Sequence, residues 1–233
     1  MAAIRLDHSA RVAIDEYKLY MFWAAVVLAI SIAVRVGLAV FVAEAGIIEV
    51  RPDTVLRNFG QVFALIAGIV NGVYAIRYFV RQGVTRHSFL LGGILAGVGI
   101  ALSLQIVAVV LATGARLFES LLPVQVASGG AAFGALAGIV IAVSFFIMGW
   151  IIGFAFCRFK VLVGMGTVLV GLLLQGVLVS IWGEGVRVTI MGIGIPPIDG
   201  LSAAMALAAT AALLAAQIGA LYLIVRDAPL PVQ

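Results

Sequence analysis

The sequence predicts an all-α fold, a polytopic membrane bundle of six transmembrane helices preceded by an N-terminal amphipathic surface helix. Three observations carry this. Of 233 residues, 64% are hydrophobic and 10% charged, where soluble domains carry about 25% charged residues. No soluble core of this size hides so much apolar surface. The apolar residues fall in continuous runs long enough to cross about 30 Å of hydrocarbon as helices. They do not alternate as the strands of a transmembrane barrel would.

In chain order, residues 1–20 interleave Ile4, Leu6, Val12, Ile14, Tyr17 and Tyr20 with Arg5, Asp7, Arg11, Asp15, Glu16 and Lys18. That pattern predicts a helix lying at the membrane surface, with Tyr17, Tyr20 and Trp23 at headgroup depth. Its acidic residues and the missing cleavage signature argue against a signal peptide. Six spans follow at about residues 21–43, 56–80, 89–113, 131–156, 161–182 and 201–225, so the membrane domain covers 21–226 and a tail covers 227–233. All 6 prolines lie between or after these spans, as expected of a residue that kinks helices.

Orientation follows from basic residues in short loops. Arg5, Arg11, Lys18, Arg77, Arg81, Arg86, Arg158, Lys160 and Arg226 share one side. Arg51, Arg57, Arg116 and Arg187 share the other, diluted by Glu44, Glu49, Asp53, Glu119, Glu184 and Asp199. The expectation is a plasma (inner) membrane protein with both termini cytoplasmic. A net charge of +4 distributed this way points to membrane orientation and away from nucleic acid. Residues 186–199 are too apolar for a solvated loop and too short to cross, which suggests a re-entrant or interfacial hairpin.

Little enzyme chemistry is available. The 2 histidines, His8 and His87, both lie on the inner side, and a single cysteine, Cys157, permits neither an intramolecular disulfide nor a cysteine metal cluster. No metal site is expected. No serine stands in a nucleophile elbow, and no phosphate-binding loop exists, the only lysines being Lys18 and Lys160. No Glu or Asp lies within a predicted span, which removes the usual proton relay of pumps. The chain is therefore read as a non-enzyme that binds no cofactor itself.

Polar and small residues inside the spans are candidates for a path or for packing. Arg35 is the one charge clearly within a span, about 12 Å from its outer end, and is either a path or gate residue or a snorkelling cation. Asn71, Gln105, Gln175 and Gln217 occur singly in four spans; together they would line a polar path, separately they would bond between helices. Gly130, Gly134 and Gly138, Gly149 and Gly153, and Gly93 and Gly97 recur at four-residue spacing, which lets helices approach closely, within the bundle or between subunits.

The polar break after the second span reads Arg81, Gln82, Gly83, Val84, Thr85, Arg86, His87, Ser88, Phe89. Thr85 or Ser88 can cap a short helix, the arginines can pair with acids on a partner, and Phe89 and Leu90 can anchor a contact. An ordinary positive-inside loop would carry the same arginines. With six spans, inside termini and an amphipathic start, this Gly-Val-Thr-Arg stretch followed by an aromatic resembles the permease subunit of an ATP-binding-cassette exporter of the type-2 class. The resemblance covers the whole chain in topology and about ten residues in motif. It implies that the loop forms a coupling helix docked on a cytoplasmic ATPase, which supplies ATP and Mg chemistry. It also implies a second permease subunit, identical or homologous, meeting this one at the first span, and short re-entrant helices before the last span. The expected function is ATP-driven export of a hydrophobic or amphiphilic substrate. The alternatives are a stand-alone secondary transporter or channel, and the membrane substrate-binding subunit of an importer.

Overall fold

The computed structural model describes residues 2–42, 52–119, 131–182, 188–190, 193–195 and 201–226; for parts of these, Arg35 and Gly134 among them, only the helical backbone is described. The calls on Gly130 and on the tail, 227–233, lie outside the described residues. Seven α-helices are α1 (Ala2–Val42), α2 (Pro52–Val70), α3 (Ile76–Arg81), α4 (Arg86–Glu119), α5 (Ala131–Arg158), α6 (Val161–Ile181) and α7 (Ala203–Arg226), with a π-helical turn, Asn71–Ala75, joining α2 to α3. Among the described residues, five segments are long and apolar enough to cross a membrane: Phe59–Arg81, Arg86–Val110, Leu136–Arg158, Val161–Ile181 and Ala204–Arg226. The protein is a membrane protein built of helices.

Pro52 opens α2 at the first helical position, where its missing N–H costs nothing. The α3–α4 connection is set by turn chemistry. Gly83 takes φ +82°, the left-handed conformation that closes a helix. Its N–H donates to the Val80 carbonyl (3.0 Å), and the Val84 N–H donates to the Phe79 carbonyl (3.1 Å). Val84 is buried with Phe79 beneath the turn. Thr85 then caps α4, accepting the Ser88 N–H at 3.2 Å.

The helices alternate in direction. α2 and α5 run parallel and nearly touch backbone to backbone, because a Cβ on Gly72 would lie 2.6 Å from the Trp150 carbonyl oxygen and one on Gly153 2.5 Å from that of Ile69. Gly68 and Gly149 complete the crossing. Lipid gives helices no hydrophobic drive to associate, so this proximity is what van der Waals packing requires. Gly93 receives the Trp150 ring, Gly97 that of Phe146, and Gly138 the Gln105 amide. The described small-residue positions thus serve packing within the bundle.

Trp150 is the centre of the core: fully buried, it meets Phe89 edge-on (5.3 Å between centroids), Phe146 (6.0 Å) and Phe154 (6.4 Å). α6 packs antiparallel to α5, with Gly164 facing Phe156 and Gly171 facing Met148.

Two expectations change. The N-terminal segment is not a separate surface helix: α1 runs unbroken for 41 residues and stands beside α4. Ser9 and Val12 meet Gly92, Tyr17 meets Gly99, and Tyr17 shares a 2.8 Å hydrogen bond with Ser103. Its buried stripe is Ser9, Val12, Glu16, Tyr20 and Ala24, a helical repeat that includes an acid. The apolar segment before α7 also departs from the short re-entrant helices implied by resemblance. It holds an antiparallel ribbon, β1 (Val188–Ile190) with β2 (Ile193–Ile195), pairing Val188 with Ile195 and Ile190 with Ile193. A two-stranded ribbon leaves edge amides unpaired, so lipid hydrocarbon is not its place.

Candidate functional site

Asn71 is the first path candidate with a partner. It opens the π-helical turn, and such turns commonly re-aim a side chain at functional positions. Its Nδ2 donates to Glu16 Oε2 at 3.0 Å, with both side chains buried. The depth follows from neighbours. Gly72 abuts the Trp150 carbonyl, and Trp150 lies eight residues from the end of α5 at Arg158, or about 12 Å at helical rise. Glu16 therefore sits well inside the layer bounded by the apolar helices. The expectation that no acid occupies a span is overturned: α1 carries one there.

Hydrogen bonding at this pair is incomplete. Glu16 Oε1, Asn71 Oδ1 and Trp150 Nε1 are buried without a partner, and such atoms are uncommon enough to need a reason. Glu16 borders a cavity of about 550 Å³ between α1 and the α2–α3 segment, shared with Asp15, Tyr20, Tyr74 and Tyr78. Asp15 is exposed and reaches Arg11 Nε at 4.0 Å.

A second polar cluster unites two other candidates. Ser144 Oγ donates to Gln217 Oε1 at 3.0 Å, while Gln175 Nε2 donates to the Ser144 carbonyl (3.1 Å) and hydroxyl (3.0 Å). These bonds join α5, α6 and α7. Gln217 Nε2 has no partner and borders a groove of about 760 Å³ between the same helices. Neither Asn71 nor Gln105 lines that groove. The path candidates thus separate into a Glu16–Asn71 pair, a Ser144–Gln175–Gln217 knot and a half-buried Gln105 against Gly138, with no hydrogen bond among the described residues joining the three.

The expected docking loop divides by burial. Arg81, Gln82, Gly83, Thr85 and His87 are exposed and Arg86 is partly so, whereas Val84, Ser88 and Phe89 are buried. Phe89 and Leu90 belong to the core and do not anchor an external contact. The connection is a four-residue turn leading directly into α4, with no separate coupling helix. Turn geometry alone accounts for Gly83, Val84 and Thr85.

The structure gathers other basic residues beside this turn. Arg86 Nη1 donates to the Arg226 carbonyl (2.6 Å) and Arg158 Nη1 to that of Ile224 (2.8 Å). The α3–α4 turn, the α5–α6 turn and the end of α7 therefore share one end of the bundle. Arg158 also lies 5.4 Å from the Phe159 ring centroid, and Phe159 and Lys160 are exposed. Ser144 and Glu16 were missed by sequence reasoning. Glu16 had a signal: it falls on the stripe of Val12, Tyr20 and Ala24, four residues from each neighbour.

Among the described residues, no group of His, Cys, Asp and Glu could hold a metal ion. Comparison with known proteins finds no matching family model, no matching curated sequence and no matching solved structure.

Proposed function

We propose that this chain is the membrane-spanning permease subunit of an ATP-driven exporter, moving a hydrophobic or amphiphilic substrate with energy from a separate cytoplasmic ATPase and working as a dimer with a second permease subunit. The observation that carries the reading is the basic end of the bundle, where Arg81, Arg86, His87, Arg158, Lys160 and Arg226 from three segments are drawn together by hydrogen bonds. The positive-inside rule places that end in the cytoplasm of an inner-membrane protein, where an ATPase would meet it. Exposed Arg81 and Lys160 offer charges to an acidic groove, and Phe159 offers an apolar contact.

The test is ATP hydrolysis by the affinity-purified complex. Wild type carries vanadate-sensitive activity, and Arg81→Glu with Lys160→Glu reduces it by roughly tenfold or more, since like-charge juxtaposition at an interface costs several kcal/mol. No co-purifying hydrolysis, or hydrolysis indifferent to the charge reversal, removes the reading.

A second reading, a stand-alone secondary transporter, is favoured by Glu16. A carboxyl held inside the apolar layer supplies the ionisable group that a proton- or cation-coupled carrier requires. It predicts substrate flux driven by an ion gradient with no ATPase present.

A further inference from the structure

We propose that the cavity between α1 and the α2–α3 segment is a binding site for a lipophilic organic cation, a single positive charge carried in an aromatic or alkyl body. Its volume, about 550 Å³, falls in the range of roughly 300–1,000 Å³ typical of small-molecule pockets. Its chemistry is one-sided. Two carboxyls, Asp15 and Glu16, line it, and no Lys, Arg or His does.

The two acids are not equivalent. Asp15 faces outward and approaches Arg11 at 4.0 Å. Glu16 is only 3% exposed, receives one bond from Asn71, and keeps Oε1 without a partner. A buried carboxyl with one oxygen satisfied and one unsatisfied is a poor structural device and an apt counter-charge for a ligand. Asn71 acts as a positioning residue, fixing the carboxyl from the π-helical turn.

Aromatic rings supply the remainder. Tyr20 is buried beside Glu16, while Tyr74 and Tyr78 are 69% and 60% exposed at the cavity's edge. Ring faces attract a desolvated cation through their quadrupole, and this is a recurrent means of recognising quaternary ammonium groups. An anion would meet two carboxyls, and a neutral ligand would leave Glu16 Oε1 unsatisfied. The depth of Glu16 requires a ligand whose body is itself soluble in the apolar layer.

The inference rests on the proposed transport function only in taking the cation as cargo; the site itself is tested without any energy source. The probe is tetraphenylphosphonium, measured by equilibrium dialysis against the purified full-length chain in phosphatidylcholine nanodiscs. Wild type is expected to bind saturably at one site. Glu16→Gln, which keeps shape and can still bond Asn71, should weaken binding roughly tenfold. Tyr74→Leu should weaken it several-fold, and tetraphenylborate, of the same shape and opposite charge, should not compete. Wild-type affinity in Glu16→Gln, equal competition by the borate, or no saturable binding overturns the proposal. If Glu16→Gln fails to fold, the exposed Tyr74→Leu and Tyr78→Leu variants decide, with unchanged binding in both counting against the site. Because no ATPase is present, failure here leaves the energy-source reading standing, and loss of that reading leaves this one testable.

Discussion

Gly72→Leu is expected to prevent assembly of the bundle. A Cβ there would already lie 2.6 Å from the Trp150 carbonyl oxygen and 3.0 Å from the Phe154 nitrogen. Those neighbours are backbone and cannot rotate away. Four further heavy atoms would drive α2 from α5 along the closest helix pair in the molecule. Overpacking a tight core costs typically about 1–3 kcal/mol and occasionally more. With backbone on both sides the upper end applies, so a loss of about 3 kcal/mol or more is expected. Unfolding by detergent titration, with monodispersity in gel filtration, measures it. By contrast, Gly166→Leu on α6 and Gly219→Leu on α7, where nothing lies within 4 Å of the added Cβ, should change stability little.

Trp150→Ala should follow as the second largest effect. The indole fills the space between Phe89, Phe146 and Phe154 and lies over Gly93. In water-soluble proteins Trp→Ala in a core costs about 3–5 kcal/mol, combining a transfer term with a cavity term. Lipid tails are as apolar as the core, so much of the transfer term is absent here. The expected loss is about 2–3 kcal/mol, from the cavity and the lost ring contacts. Thermal aggregation of the detergent-solubilised protein should report it, and Trp150→Phe should recover part of the loss. The unpartnered indole N–H favours that recovery, since phenylalanine removes a buried polar atom without breaking a bond.

Much of this fold was legible because lipid simplifies the reading. Continuous apolar runs located the helices around Trp150, Gln175 and Gln217 within a few residues of where they stand, and prolines marked their limits. The glycine spacing of Gly149 and Gly153 pointed to close packing, and its partners, Gly68 and Gly72, lie at the same spacing on α2. The N-terminal segment resisted because composition was read in place of phase. Arg11, Asp15 and Lys18 suggested a surface helix, although Val12, Glu16, Tyr20 and Ala24 make an inward stripe. A single charged position on an otherwise apolar stripe is weak evidence from sequence and becomes strong only when Asn71 is found opposite it.

The same difference separates the two halves of the site. Gln175 and Gln217 were visible as isolated amides, but the serine that ties them together, Ser144, is too common a residue in helices to stand out. At the α3–α4 turn, Gly-Val-Thr suggested an external socket, yet each residue has a local duty. Gly83 supplies the left-handed turn, Val84 covers Phe79, and Thr85 caps α4. What remains for a partner is the charge around it.

The energy source is the central claim, and vectorial transport tests it most directly. The chain and its co-purified ATPase, reconstituted in phosphatidylcholine vesicles with the basic end outward, should accumulate tetraphenylphosphonium when ATP and Mg are added outside. Accumulation should persist when the proton gradient is collapsed and stop with vanadate. Accumulation by the chain alone under an imposed proton gradient, abolished by Glu16→Gln and indifferent to ATP, would contradict the account and establish the secondary transporter in its place.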